Sequence, residues 1–287
     1  MIQFTFNLNP ENGTLGKRIP YGYKFRGVIM KWLLESNPEL GDAFHESEEI
    51  RPYAINTIPH RDTDTIEFIL TSYNEDLSDT IITDVVQNKK VNLTVDHQTF
   101  IISNISFDRP NLEQLQHNAS PITKVQVHFV TPVYFNTLLG DYPVRFPMPN
   151  LFFGNLVHLW NDITHEELQI EREPFIDWVN AHVYISGYKM RSAKRDIGKR
   201  APVVGGLGNA TYRVTGINRN YYKTLLDKMD QKYDTEFVND DYSENCQWLD
   251  VLCNLGTYTN VGGNRTAGMG VIRYWVKEQL SKKDLLK

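Results

Sequence analysis

Two short segments of the chain combine residue types that can bind a phosphate chain. Residues 260–270 (NVGGNRTAGMG) hold four glycines around a polar centre, and residues 189–200 (KMRSAKRDIGKR) hold six basic side chains. Glycine allows a backbone to approach a ligand closely, and guanidinium and ammonium groups bind anions. Both segments must be placed by the helices and strands around them.

The glycine-rich segment follows a predicted helix and precedes a predicted strand. Walker loops and dinucleotide fingerprints have the opposite order, in which the following helix points its N-terminus at the phosphate. The pattern therefore disfavours a nucleotide cofactor. Gly263, Gly268 and Gly270 permit the backbone to lie close to an RNA phosphate chain, with Asn264, Arg265 and Thr266 as donors at the tip. Glycines of an ordinary loop are the alternative.

The basic segment falls between predicted strands at 182–190 and 208–216, at the position of a hairpin. Its six cations stand in a chain whose net charge is −5, so any attraction to a polyanion must be local. Contacts to phosphates would give affinity with little base information and would weaken with salt. A solvated basic loop is the alternative. The six residues are Lys189, Arg191, Lys194, Arg195, Lys199 and Arg200.

Two consecutive β-α-β-β-α-β patterns organise the 287 residues. In the first, a strand at 2–8 and a helix at 21–35 are followed by strands, a helix near 76–88 and strands within 91–107. The second restarts after a polar link near 108–122. These patterns predict an α+β protein with two tandem ferredoxin-like (RRM-like) domains, residues 1–122 and 123–287, each an antiparallel sheet with helices on one face.

Several function classes receive little support from the sequence. No window approaches about 18 uninterrupted apolar residues and the N-terminus lacks a secretory pattern, so a cytoplasmic protein without a membrane span is expected. Cys246 and Cys253 are predicted to be buried thiols. Asp62 and Asp64 form a pair with no third acidic ligand at calcium-loop spacing, so neither a metal nor another cofactor is expected.

Motifs in both halves carry a resemblance to a known family. The 260–270 segment is similar to a C-terminal glycine-rich loop in which two Gly-apolar-Gly triplets flank a polar tip, with Asn260 where the first glycine is usual. The other motifs are 131–135 (TPVYF), 146–149 (FPMP) leading into 151–161, 204–208 (VGGLG) with 212–216 (YRVTG), the helix at 21–35, and 43–46 (AFHE). In this order they resemble the CRISPR-associated repeat-processing endoribonucleases of the repeat-associated RNA-binding superfamily.

The resemblance implies metal-independent cleavage of RNA, by attack of a ribose 2′-hydroxyl on its own 3′ phosphate. It implies that His45, in a polar turn after the first helix, is the catalytic acid or base. Arg51 stands where some members carry a lysine, and Met30 where some carry a tyrosine, for which Tyr21 or Tyr23 could substitute.

The implied partner is the repeat of precursor CRISPR RNA, cut once per repeat to give guide RNAs, with the basic segment against the repeat stem. The resemblance also implies RNA contacts along the glycine-rich loop, from Gly262, Gly263, Asn264, Arg265, Thr266, Gly268 and Gly270. Two alternatives stay open: a non-cutting RNA-binding subunit of a CRISPR effector complex, and a ferredoxin-like scaffold with no RNA role. Contacts with effector-complex subunits and a homodimer stay open as well.

Overall fold

A computed structural model describes residues 1–15, 22–46, 51–87, 91–137, 142–198, 202–232 and 234–281. The side chains of Ala43, His45, Glu46 and Val86 lie outside this description, although the backbone there is assigned. Lys199 and Arg200 of the basic segment, and Tyr21, lie outside the described residues.

Five strands form the first sheet, in the order β2-β3-β1-β5-β4, and every pair of neighbours is antiparallel. Apart from the additional edge strand β4, this is the strand order of a ferredoxin-like sheet. The elements of this part of the chain are β1 (Ile2–Pro10), α1 (Gly22–Ser36), α2 (Pro38–Glu46), β2 (Tyr53–His60), β3 (Thr65–Ser72), α3 (Glu75–Ile81), β4 (Asn92–Val95), β5 (Gln98–Asp108) and α4 (Leu112–Asn118).

The helix α1 covers one face of the first sheet because its apolar residues recur every three or four positions. Phe25, Ile29 and Leu33 are fully buried on this face. They join the alternating apolar residues of β1, where Phe6 stacks on Phe68 of β3 with 5.4 Å between ring centroids. The apolar residues, which recur about every 3.6 positions in the helix and every 2 positions in the strand, thus pack into the same core.

Four strands form the second sheet, in the order β7-β8-β6-β9, which is again the ferredoxin-like order. Its core packs α5 on β6 and β8, with Phe152 stacked on Tyr212 at 5.1 Å between ring centroids. The prediction of an α+β protein with two ferredoxin-like sheets is confirmed. The elements are β6 (Ile122–Val133), α5 (Pro149–Ile163), α6 (Arg172–His182), β7 (Val183–Arg195), β8 (Val203–Val214), α7 (Arg219–Lys228), α8 (Thr235–Thr259) and β9 (Ile272–Gln279).

Contacts between Cα atoms divide the chain into two compact units that are not continuous in sequence. The first contains residues 1–111, 194–204 and 258–271, and the second contains 112–193, 205–257 and 272–287. The sequence predicted a single change of domain near residue 122. The division by contacts instead assigns the glycine-rich loop and the end of the basic hairpin to the first unit.

Among the residues that the structure describes, no helix combines the length and the apolar character needed to cross a membrane.

A buried histidine in the second unit links its packing to pH. The His182 ring stacks on Trp178 at 5.0 Å, and its Nε2 accepts a hydrogen bond from Asn218 N at 3.3 Å. Nδ1 therefore carries the proton and donates it to Trp178 O at 3.1 Å. Burial lowers the pKa of His182 from its ordinary 6.5 to about 4.

We expect His182 to destabilise the protein as the pH falls below 6.5, because the unfolded chain then binds a proton that the folded chain excludes until about pH 4. Between pH 7 and pH 5 the free energy of unfolding should fall by about 2 kcal/mol through this group. Denaturant unfolding at both pH values measures the change. His182→Gln should flatten the dependence and His165→Gln, at an exposed site, should not; equal slopes in both variants would contradict the assignment.

Candidate functional site

His45 lies on the helix α2, not in a polar turn, so the prediction of its local structure was wrong. Asn37 caps this helix, because its side-chain carbonyl accepts a hydrogen bond from Leu40 N at 3.2 Å. Pro38 occupies the first helical position, where the missing N–H costs nothing. The short helix is held by Phe44, whose ring lies 6.4 Å from that of Tyr53 in β2.

Two arginines and a tyrosine meet at the start of β2. Arg26, on α1, makes a side-chain hydrogen bond to Tyr53. Burial, followed by the charge of Arg26, lowers the pKa of Arg51, and burial raises the pKa of Tyr53 against the opposing effect of both arginines. The cluster therefore concentrates two positive charges around one phenol. We call Arg26, Arg51 and Tyr53 the arginine cluster.

The hydroxyl of Tyr53 lies 4.0 Å from the sulfur of Met30. Met30 is the helix position at which the resemblance implied a tyrosine in some members, so a strand supplies a phenol close to that place. Sequence reasoning missed Arg26 and Tyr53. A signal for each existed, since Arg26 is four residues before Met30 on one helix face, and Tyr53 is two residues after Arg51.

Tyr23, the other tyrosine considered for the site, lies against the end of the basic hairpin. Its hydroxyl donates to Asp196 Oδ2 at 3.4 Å. Lys24 Nζ lies 5.1 Å from the centre of its ring, and the backbone of Gly198 packs against the ring edge. The described contacts of Tyr23 are thus with the hairpin and with the neighbouring Lys24 of α1.

The glycine-rich loop closes on itself through residues with left-handed backbone. Val261 N donates to Gly270 O at 2.8 Å, and a Cβ on Gly270 would stand 1.7 Å from Val261 O. Gly262, Asn264 and Gly268 also have positive φ, at 78°, 56° and 74°. Only residues that tolerate this conformation permit the closure.

The loop is fastened to the first sheet and to α1. Asn260, with φ of 55°, donates from Nδ2 to Ile55 O in β2 at 2.8 Å. A Cβ on Gly22, the first residue of α1, would lie 2.8 Å from Ala267 O. The loop therefore contacts both elements that carry the arginine cluster. Asn260, which stands where the family usually has glycine, supports this attachment through its side chain.

The polar tip of the loop is more buried than the sequence suggested. Arg265 is 8% exposed and Thr266 is 7% exposed, whereas Gly263 and Asn264 are half-buried. The guanidinium of Arg265 lies 5.9 Å from the ring centre of Tyr73, and its Nη1 has no hydrogen-bond partner among the residues that the structure describes. Arg265 is thus placed as a buried cation in the loop and not as an extended arm.

The basic segment begins within β7, which ends at Arg195, and crosses the division between the units. Lys189 and Arg191 belong to the second unit, and Lys194 and Arg195 to the first. Lys189, Arg191 and Lys194 are exposed, and Arg195 is half-buried. Three of the four described cations thus present their charges to solvent.

Two other sequence motifs meet in the second unit. The hydroxyl of Tyr212, from the 212–216 motif, donates to Pro147 O of the 146–149 motif at 2.9 Å. A Cβ on Gly206 would lie 2.3 Å from Arg145 O, so glycine is required where residue 145 crosses β8. Motifs separated by some 60 residues therefore hold one piece of structure together.

Across the residues that the structure describes, no group of three or more His, Cys, Asp or Glu side chains could hold a metal ion.

A family model described as "CRISPR-associated endoribonuclease Cas6" matches residues 127–272. This match covers half of the chain. The chain belongs to the Cas6 family of CRISPR-associated endoribonucleases. The alternative of a scaffold with no RNA role is thereby set aside, and the resemblance seen in the sequence is confirmed at the level of the family.

Solved Cas6 structures share the fold over nearly the whole chain. Thermus thermophilus Cas6 (TTHB231), in a product complex, has a TM-score of 0.71 at 17% identity and covers 96% of this chain and 99% of its own. Cas6 (TTHA0078), also in a product complex, has a TM-score of 0.68 at 14% identity and covers 96% and 100%. Comparison with curated protein sequences gave no match.

We expect Gly270→Ala to destabilise the protein by about 3 kcal/mol, since the new Cβ would overlap Val261 O in a left-handed backbone. Gly216→Ala is the matched control, because no described residue lies within 4 Å of a Cβ at that glycine. Denaturant unfolding measures both variants. Equal stability of the two would contradict the closure of the loop.

Proposed function

We propose that this Cas6 family protein binds the repeat of precursor CRISPR RNA and cleaves it once per repeat without a metal ion. In this reaction the ribose 2′-oxygen attacks the adjacent phosphorus and the bond from phosphorus to the 5′-oxygen breaks. The products are a 2′,3′-cyclic phosphate and a 5′-hydroxyl. The arginine cluster beside the helix that carries His45 is the observation on which the proposal depends.

The arginine cluster suits the charge that develops on the phosphorane. Arg51 is partly desolvated and lies near a second guanidinium, and both effects lower its pKa. A phosphate bound beside the cluster would relieve this repulsion, and more so as negative charge grows in the transition state. Arginines remain protonated, so Arg26 and Arg51 are assigned to charge stabilisation and not to proton transfer.

His45 is the proposed acid or base, because an imidazole titrates near neutrality and can hold or release the proton of the 2′-hydroxyl or the leaving oxygen. The buried phenol of Tyr53 has a raised pKa and therefore keeps its proton. It can orient an oxygen of the substrate or Arg26. The relative Cas6 (TTHA0078) was solved both as a histidine-to-alanine mutant and as a substrate-mimic complex. Tyr23 stays a weaker candidate because its described contacts lie at the hairpin.

RNA binding is assigned to the basic segment and to the backbone of the glycine-rich loop. The exposed cations Lys189, Arg191 and Lys194 are suited to phosphates of the repeat stem. Gly262, Gly268 and Gly270 are buried together with Arg265 and Thr266, so the backbone of the half-buried Gly263 and Asn264 is the part of the loop assigned to RNA contact. Relatives in product and substrate-mimic complexes support binding of a nucleic-acid substrate by this family.

We expect His45→Ala to slow cleavage of the repeat RNA by about 10² to 10⁴ in single-turnover assays, because one proton transfer loses its catalyst. Repeat affinity should stay within about twofold. Both enzymes are assayed in EDTA, where the wild type should remain active.

His165→Ala, at an exposed position on the second unit, is the control and should cleave like the wild type. Full activity of His45→Ala would remove the histidine from the mechanism. A wild type that binds the repeat but never cuts it would instead favour the non-cutting subunit of an effector complex.

We expect Arg51→Gln and Arg26→Gln each to slow cleavage by about 10² or more, since each removes a charge beside the phosphorane. Arg51→Lys should recover most of the rate, because it restores the charge. The control is Arg61→Gln, which changes an exposed arginine of the β2–β3 turn. Cleavage rates under single-turnover conditions measure the effect. A loss of affinity without a loss of rate would assign these arginines to RNA binding alone.

A further inference from the structure

An aromatic cleft of about 590 Å³ lies on the second unit. Its exposed rings are Tyr142, 84% exposed, and Tyr188, 68% exposed. Phe146 meets Tyr188 edge to face, with 5.2 Å between ring centroids. The aromatic cleft is defined by Tyr142, Arg145, Phe146, Tyr188, Met190 and Arg191.

The positions of both walls of the cleft are set by backbone structure. The segment that supplies its first wall is paired to Phe135 through both backbone hydrogen bonds of Val144, each 2.8 Å long. Gly206 lets this wall cross β8, and the hydroxyl of Tyr212 fixes Pro147 just beyond it. The second wall is the regular strand β7, which carries Tyr188 and Met190. Both walls are therefore held by backbone.

The composition of the cleft fits a nucleotide. Among the described residues that line it, the charged ones are Arg145 and Arg191, both exposed. An exposed aromatic ring beside guanidinium groups can stack a base and bind its phosphate at the same time. The volume is within the range of small-ligand sites. An acidic chain with net charge −5 places two cations at this cleft, which favours a polyanion over a neutral partner.

We propose that the aromatic cleft binds one unpaired nucleotide of the RNA, with its base stacked on Tyr188 and its phosphate held by Arg145 and Arg191. The proposal rests on the proposed function, because it takes RNA as the substrate. It adds a contact that requires an unpaired nucleotide. The basic segment alone would not distinguish unpaired RNA from a duplex. Stacking tolerates every base, so the cleft would favour unpaired structure and not a particular sequence.

Fluorescence anisotropy with labelled repeat RNA tests the stacking. Tyr188→Ala should weaken binding about tenfold, and Tyr188→Phe should bind more tightly than Tyr188→Ala because the ring is kept. The matched control is Tyr184→Ala, which removes a 44% exposed tyrosine of the same strand that does not line the cleft. Melting temperatures of the three variants identify any loss of folding. If Tyr188→Ala binds the repeat RNA with wild-type affinity, the proposal is overturned.

The phosphate contact is tested by the salt dependence of the same binding. Arg145→Ala and Arg191→Ala should each lower the slope of log affinity against log salt by about 1, and the exposed Arg172→Ala should not. Ultraviolet crosslinking of 5-iodouridine RNA, followed by mass spectrometry, should locate adducts at Tyr142 or Tyr188. Adducts confined to other residues would contradict nucleotide binding at the cleft but would leave the proposed function in place. A wild type that fails to bind the repeat at all counts against the proposed function itself.

Discussion

The glycine-rich loop can close only because Gly270 lacks a Cβ and adopts a left-handed backbone. Val261 O occupies the position that a side chain at 270 would need. The closed loop reaches β2 through Asn260 and reaches the start of α1 through Gly22. These two elements carry Tyr53 and Arg26, so the geometry of the arginine cluster depends on a backbone contact more than 200 residues away in sequence.

Under the proposed mechanism, the cluster keeps a positive charge and a phenol at the site although different residues supply them. Where some members have a tyrosine on the first helix, this chain has Met30, and the phenol of Tyr53 approaches the same place from the neighbouring strand. Arginine at 51 in place of lysine keeps the charge and abandons proton exchange. Under the proposed mechanism, His45 then bears the proton transfers and the two guanidiniums bear the charge.

Most elements of the fold could be predicted because they depend on local periodicity. The apolar face of α1 and the alternation in β1 locate those two elements within two residues of their observed ends. Three helices were not predicted: α2, α4 and α6, of which α4 (Leu112–Asn118) lies within the stretch predicted to be a polar link. At the start of α2, Asn37 and Pro38 form a start signal that equally fits the end of the preceding helix. In α6 the cap residue Glu171 makes no side-chain cap hydrogen bond within the described part of the chain, so the usual start signal is missing.

The sequence by itself determined the two β-α-β-β-α-β patterns, the family and the segments of cations and glycines, because each of these is written in residues close together in the chain. Only the tertiary structure decided that Arg26 and Tyr53 meet, that Arg265 is buried, and that Tyr142 and Tyr188 border one cleft. These pairings depend on strand register and on loop closure across long separations. Local patterns do not encode such distances, because many registers satisfy the same periodicity.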